Sequence, residues 1–326
     1  MSITRLAPSP TGALHLGNAR TFLINWLLAR QSGWRVLLRV DDLDGPRVKP
    51  GSAAAMLDEL SWLGLDWDER PFWQSMRGSK YQAAVEDLLN RGLAYPCICS
   101  RAEAAAAASA PHAEDGSSIY PNTCRGRYAS MEEARIQSGR APAVRFRVET
   151  TALEFNDRFR GRQHFNPAIQ LGDFVIQKSD GTAAYQLATV LDDAESGVTN
   201  IVRGDDLLDS TPRQILLYQA MGQSAKIPDY CHLPLVIGAD GRRLAKRHGD
   251  TRLSAYRANG VPAGRILALL ASWSGVDAGP LVPSARELLG TFALDRVPKG
   301  PIIFRGEDDM WLKGSTATAP PGQSGN

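Results

Sequence analysis

The amino-acid sequence predicts a parallel α/β fold, and three observations carry that prediction. A short apolar run, Ile3 to Ala7, feeds a proline-rich turn and then a helix-periodic segment, the strand–turn–helix order of a nucleotide site. Strand-like and helix-like segments go on alternating from Trp34 to Asn90. The same texture returns near Tyr185, after an interruption of a different kind.

Taken in order, the run at Ile3 reads as a buried strand and Pro8-Ser9-Pro10-Thr11-Gly12 as the turn that ends it. Leu16, Ala19, Leu23, Trp26 and Leu27 recur at helical spacing up to a stop at Gly33. Trp34 to Val40 reads as the next strand, followed by helices from Ser52 to Leu63 and from Lys80 to Asn90. From Tyr95 to about Arg140 the periodicity changes: a Cys-x-Cys pair, an alanine run and turn residues at Pro111, Gly116 and Pro121 suggest an inserted module. Alanine is the best helix former, so Ala104 to Ala108, with Arg101 and Glu103 at its start, predicts a short exposed helix. Short strands at Ala143 to Val148 and Asp173 to Gln177, the latter before an Asp180-Gly181 turn, predict a small antiparallel unit. Ser210-Thr211-Pro212 supplies a helix start with a capping hydroxyl, and Ile215, Leu216 and Gln219 carry it on. The strand-like run Leu233 to Gly238 leads through an Asp240-Gly241 turn into a basic segment. A short helical extension follows, at Arg265 to Trp273 and Arg286 to Phe292. The tail from Gly314 to Asn326 has no periodic apolar positions to offset the entropy of ordering and is expected to be mobile. The segments expected are therefore 1-94, 95-184, 185-249, 250-313 and 314-326, with no internal repeat.

With 326 residues, 43% apolar and 22% charged, the chain can form a sizeable core in two or three units. Its apolar stretches are too short to span a bilayer and its start lacks the pattern of a secretory signal, so a cytosolic protein without membrane contact is expected. A net charge of +2 is too small for generalised nucleic-acid binding. Any RNA contact must come from local patches, Arg158 to Arg162 or Arg242 to Arg247, each also readable as a solvated charge run.

His15-Leu16-Gly17-Asn18 opens the first helix. A helix amino terminus offers unpaired N–H groups and partial positive charge, which stabilise phosphate oxygens; Gly17 would let a ligand approach the backbone, and His15 would face the phosphates. By itself the tetrapeptide also fits an ordinary loop. Far downstream, Gly241-Arg242-Arg243-Leu244-Ala245-Lys246-Arg247-His248-Gly249 forms the basic segment.

Together these two segments resemble the HIGH and KMSKS signatures of class I aminoacyl-tRNA synthetases, and the text between them is similar to the glutamyl branch. Arg5-Leu6-Ala7-Pro8-Ser9-Pro10-Thr11-Gly12 resembles that branch's opening RFAPSPTG, and Arg39-Val40-Asp41-Asp42-Leu43-Asp44 its RIEDID or RIEDTD segment. Tyr185 and Ile201-Val202-Arg203-Gly204-Asp205-Asp206-Leu207 fit two further blocks in order. The resemblance covers about Arg5 to Gly249. Asp41 stands where the family usually has Glu, and Ala245 where it usually has Ser; neither departure removes a charge.

The resemblance implies a Rossmann-like, doubly wound parallel sheet interrupted by a zinc-containing insertion. It implies a ligase that joins the glutamate carboxylate to the α-phosphate of ATP by positioning and charge stabilisation, without a protein nucleophile. His15 and Lys246 would be the catalytic groups, and His15, Gly17, Asn18, Arg243, Lys246 and Arg247 would bind ATP, with magnesium arriving on the nucleotide. Arg5, Leu6, Ala7, Pro8, Ser9, Asp41, Tyr185 and Arg203 would bind L-glutamate, Asp41 facing the ammonium and Arg203 the side-chain carboxylate. Without the family pattern, Asp41 reads as a solvated strand-end acid beside Asp42 and Asp44.

Three of the four cysteines, Cys97, Cys99 and Cys124, lie in the insertion. Cytosolic thiols rarely form structural disulfides, and zinc can hold a module with little core of its own, so a metal site is the better reading. Cys-x-Cys, a long loop and then Tyr-x-x-x-Cys is similar to the glutamyl-queuosine branch of the family, where the tyrosine hydroxyl completes the shell; that nominates Tyr120. His112 is the rival fourth ligand, since imidazole is the commoner donor. One structural ion per chain is expected. Cys231, among Tyr230, His232, Leu233 and Leu235, reads as a buried inert thiol.

After Lys246 the remaining chain offers a short helical extension and no room for the anticodon-binding region of a full glutamyl-tRNA synthetase. That brevity and the cysteine–tyrosine pattern resemble the short glutamyl-Q tRNA(Asp) synthetases, which activate glutamate without tRNA and pass it to the cyclopentenediol of queuosine. The partners implied are ATP, L-glutamate and tRNA(Asp) bearing queuosine, and a monomer is expected. Two other readings stay open: a shortened glutamyl-tRNA synthetase charging the tRNA 3′ end, and a non-catalytic RNA-binding paralogue.

Overall fold

The computed structural model describes residues 1–107, 119–242, 244, 249–314 and 318–321. They form two compact units, one from Met1–Phe72, Asn200–Asp205 and Cys231–Asn326, the other from Trp73–Thr199 and Asp206–Tyr230.

In the first unit the strands Ile3–Leu6 and Arg35–Val40 run parallel, with Ile3 opposite Arg35 and Leu6 opposite Leu38. The helix Leu16–Gln31 makes the crossover between them, and Leu16, Leu23, Ile24 and Leu27 form its buried stripe. A parallel pair needs such a crossover, so the apolar periodicity and the strand order are one observation. The strand Asn200–Gly204 abuts Ile3–Leu6 and the same helix. A second parallel pair joins Val236–Gly238 to Ile302–Phe304. The extension is helical over Ala263–Ser272, where every residue from Ile266 to Ala271 is buried. Its expected second helix is instead a 3-10 run, Ala285–Gly290, capped by the Ser284 hydroxyl.

The second unit carries the expected antiparallel sheet, with Ala143–Phe146 central between Ala94–Cys97 and Phe174–Gln177. Sequence reading missed the adjoining hairpin, Leu153–Asp157 with Gly161–Phe165. Helices Gly78–Asn90, Tyr185–Glu195 and Ser210–Ala220 complete this unit. The last begins at Ser210 as expected, but that hydroxyl does not cap it; Ser210 Oγ lies 3.0 Å from Gln186 Nε2, which donates to it.

The alanine run forms the helix Arg101–Ala107; Ala108, Pro111, His112 and Gly116 lie outside the described residues. Of the tail, the Thr318 carbonyl accepts a hydrogen bond from the Trp311 indole. Among the described residues, no helix is long and apolar enough to cross a membrane.

Candidate functional site

The turn after the first strand is built from its own backbone. His15 is the N-cap of the helix Leu16–Gln31: its Nδ1 accepts from the Gly17 N–H at 3.1 Å, and its own N–H donates to Asn18 Oδ1 at 2.7 Å. This reciprocal pair satisfies two donors that a helix start leaves open. An Nδ1 that accepts leaves the proton of a neutral imidazole on Nε2, which is the donor a phosphate oxygen requires. A Cβ on Gly17 would come within 3.1 Å of the His15 ring, so the glycine makes room for the imidazole itself.

The basic segment is tied to this turn from both flanks. Upstream, Val236 of the strand Val236–Gly238 lies 3.5 Å from the position a Cβ on Gly17 would take. Downstream, the Leu16 N–H donates to the Thr251 carbonyl at 3.1 Å, the Leu253 N–H donates to the Leu14 carbonyl at 2.9 Å, and His15 bridges Arg252. Arg20, fully buried one turn into the helix, donates from Nη1 to the Pro234 carbonyl at 2.8 Å and from Nε to the Trp273 carbonyl at 3.2 Å. Burial lowers its pKa to about 9 against the opposing pull of Asp205, a cost that a mere surface charge would not carry. Arg243, Ala245, Lys246 and Arg247 lie outside the described residues.

Seven of the eight residues assigned to glutamate belong to the first unit. Arg5 and Arg203 are both 5% exposed, on strands that abut. Arg203 donates from Nε to His232 Nε2 at 2.9 Å, and His232 is wholly buried on the strand Asp229–Leu233. Ser9 is exposed, its hydroxyl 3.3 Å from that of Thr11. Asp41 is neither solvated nor alone: its carboxylate accepts from Arg39 Nε at 2.6 Å and Arg39 Nη2 at 3.2 Å, and its N–H donates to the Pro8 carbonyl at 3.0 Å. Arg39 is 1% exposed, so the pair is held rigidly at the strand end. Leu6 and Pro8 are buried, which leaves their backbone as what they present. Tyr185 is in the second unit, 39% exposed at the start of its helix.

The second unit gathers three of the four cysteines. The sulfurs of Cys97, Cys99 and Cys124 lie within 4.8 Å of one another. The Tyr120 hydroxyl is 3.4 Å from both Cys97 Sγ and Cys99 Sγ, and it accepts from the Cys124 N–H at 3.0 Å. Burial pushes the Cys99 thiol up to about 11, the neighbouring sulfurs adding to the rise, and pushes the Tyr120 phenol up as well. Burial raises the Cys124 thiol too, but hydrogen bonds from Tyr120, the Ile98 backbone and the neighbouring sulfurs outweigh it and lower its pKa, while Cys99 and Tyr120 are held protonated, a condition that a bound cation would reverse. Cys231 lies apart, buried on its strand. Sequence reading had no signal for Arg20, Arg39 or His232 as supports of the site, because their partners are set by folding.

The family profile described as tRNA synthetases class I (E and Q), catalytic domain, fits residues 2–308. The chain is 45% identical over 322 residues to a Glutamyl-Q tRNA(Asp) synthetase of Symbiobacterium thermophilum, covering 96% of this chain and 99% of that protein. It is 41% identical to a Glutamate--tRNA ligase of Geobacter sulfurreducens, covering 94% of this chain but 64% of that one. A crystal structure of a glutamate tRNA ligase from Elizabethkingia meningosepticum, in complex with its amino acid, superposes with a TM-score of 0.78 at 30% identity, over 95% of this chain and 68% of that one. With its signature turn and the flanks of its basic segment hydrogen-bonded together, the chain belongs to the class I tRNA synthetases of the glutamate and glutamine type.

Proposed function

We propose that the protein activates L-glutamate with ATP in the absence of tRNA and then transfers glutamate to queuosine in the anticodon of tRNA(Asp). The observation that carries this reading is the backbone bridge between His15 and Arg252 with its flanking bonds, which holds the stretch just after the basic segment against the helix amino terminus that carries the first signature. The end-to-end match to proteins named Glutamyl-Q tRNA(Asp) synthetase supports the choice of acceptor.

In the first step a glutamate α-carboxylate oxygen attacks the α-phosphorus, the bond to the bridging oxygen breaks, and pyrophosphate leaves. His15 Nε2–H donates to the α-phosphate oxygens, and Lys246, with Arg243 and Arg247, meets the departing phosphates. Gly17 and Asn18 set the helix start, and magnesium arriving on ATP would supply the countercharge for the rest of the triphosphate. Arg203 and Arg5 receive the glutamate carboxylates, while Tyr185 and Ser9 supply hydroxyls. Asp41, held by Arg39 at two points, keeps lone pairs for the ammonium. A neutral glutamine amide would turn donors toward the same guanidinium, so glutamate is favoured. In the second step a queuosine ring hydroxyl attacks the acyl carbon, and AMP leaves as the ester forms.

Cys97, Cys99, Tyr120 and Cys124 would hold one structural zinc. A tetrahedral shell with Zn–S of about 2.3 Å and Zn–O of about 2.0 Å puts sulfurs about 3.8 Å apart and the oxygen about 3.5 Å from each sulfur. Cys99 and Cys124 are 3.6 Å apart, the Tyr120 oxygen is 3.4 Å from two sulfurs, and all three sulfurs lie within 4.8 Å of one another, spacings that support such a shell.

The test is ATP–pyrophosphate exchange with glutamate and no tRNA, followed by charging of tRNA(Asp) with and without queuosine. Exchange without tRNA and labelling of only the queuosine-bearing tRNA are expected. Exchange that waits for tRNA would point to acceptor-end charging, and silence throughout would point to a non-catalytic paralogue.

A further inference from the structure

We propose that Arg145 is the counter-cation of the metal shell, a positioning residue that holds two of its four donors; this rests on reading the cysteine cluster as a metal centre. Strand pairing sets Tyr95 opposite Arg145 and Cys97 opposite Ala143, so Arg145 and Cys97 share one face of the sheet as diagonal neighbours. On the other side of the same strand the register breaks between Val144 and Arg145, and such breaks re-aim a side chain.

The guanidinium makes three contacts at once. Nε donates to Cys97 Sγ at 3.3 Å, the guanidinium carbon lies 3.7 Å from the centroid of the Tyr120 ring, and Nη1 donates to the Asp173 carbonyl at 2.8 Å. Asp173 is itself immobilised: its carboxylate accepts from the Tyr95 hydroxyl at 2.6 Å, from Arg125 Nε at 3.0 Å and from the Val148 N–H at 2.7 Å. Arg125 directly follows Cys124, so the residue that anchors Arg145 also anchors the last ligand's neighbour.

Charge explains why the cation belongs there. Metal ligands bind deprotonated, so three thiolates and a phenolate bring four negative charges to a divalent ion and leave the shell with an excess of two. Cys97, Cys124 and Tyr120 are buried, and an excess negative charge that is shielded from water requires a partner. A guanidinium can donate through its edge to a sulfur while its face covers an aromatic ring, which an ammonium cannot do together. Groups that hold metal ligands from behind contribute about 10- to 100-fold to metal affinity.

The test uses the full chain loaded with zinc and follows metal transfer to a chromogenic chelator, for wild type, Arg145→Met and Arg145→Lys, each with and without Tyr120→Phe. Release about 10- to 100-fold faster is expected for Arg145→Met, with Arg145→Lys between the two. The Arg145→Met step should shrink at least threefold in the Tyr120→Phe background, because without the phenolate the excess negative charge that Arg145 offsets falls from two to one while its ring, sulfur and carbonyl contacts stay; a merely structural role would leave the two steps equal. Wild-type release from both Arg145 variants, or steps of equal size in the two backgrounds, would overturn the role. A wild-type chain that takes up no zinc overturns the metal reading instead, and Arg145→Lys keeps the test available if Arg145→Met does not fold.

Discussion

The signature turn and the cysteine cluster are held in opposite ways. At the turn, the candidate groups sit on a scaffold that is complete without them: Leu16, Leu23, Ile24 and Trp26 bury the helix, and backbone bonds from Leu16 to Thr251 and from Leu253 to Leu14 fix its start. In the cluster, the proposed donors are themselves core residues. Among the described residues, Cys97, Tyr120 and Cys124 pack with Tyr95, Tyr128, Ala104 and Ala134, and Ile98 and Cys99 lie partly buried against them. A site of the first kind can lose a reacting group and keep its shape, whereas a site of the second kind loses structure along with its ligand.

That contrast is most exposed at His15. Asparagine is a good N-cap, so His15→Asn keeps the helix start while removing the Nε2–H donor. Adenylate formation should fall about 10²- to 10³-fold with zinc content and thermal midpoint unchanged, as loss of one preorganised donor does. Lys246→Ala should behave likewise. A thermal midpoint that collapses in either variant would show that this region is not the independent scaffold described, and normal exchange would remove the residue from the chemistry.

Arg203 sharpens the same point inside the first unit. Removing a hydrogen bond to a charged group costs about 1.5–3 kcal/mol, so Arg203→Met should raise the glutamate KM by about 10- to 150-fold in exchange assays and reduce the preference over glutamine. An unchanged KM with a lowered kcat would place Arg203 on the phosphate side instead. The scaffold was readable in the sequence because apolar spacing is a strong periodic signal, as with Leu16, Leu23 and Leu27. The partnerships were not. Arg203 meets His232, and Asp41 meets Arg39 instead of water, through strand geometry that no local pattern announces. The helix Met131–Ser138 had a Ser130 cap and a Gly139 stop in plain view, yet its mostly polar face carries no apolar stripe. The hairpin over Arg158 to Arg162 read only as charge; Arg162 is in fact paired with Glu154, and Arg160 lies over the Phe159 ring.

In the second unit the opposite coupling is expected. Cys99→Ser replaces a thiolate with a poor zinc donor, so bound zinc should fall below stoichiometric and amide exchange should rise across Ala94 to Ala143, while exchange kinetics with ATP and glutamate change less than in the His15 variant. Full zinc occupancy in Cys99→Ser would count against the cluster as a metal centre. Loss of zinc without any local loosening would mean that the module has a core sufficient by itself, and the contrast between the regions would disappear.

The smallest effect expected is also the most discriminating. Tyr120→Phe deletes one oxygen and keeps the ring that packs among Tyr95, Cys97 and Cys124, so any change in zinc retention reports ligation and not packing. Faster zinc release is expected from it, and none from His112→Ala, whose imidazole lies outside the described residues. The phenol oxygen lies 3.4 Å from the sulfurs of Cys97 and Cys99 and accepts the Cys124 N–H at 3.0 Å, within reach of a fourth position in the proposed shell. If His112→Ala strips the metal and Tyr120→Phe does not, the tyrosine is a core residue that borders an imidazole-completed site, and the donors would no longer double as the core.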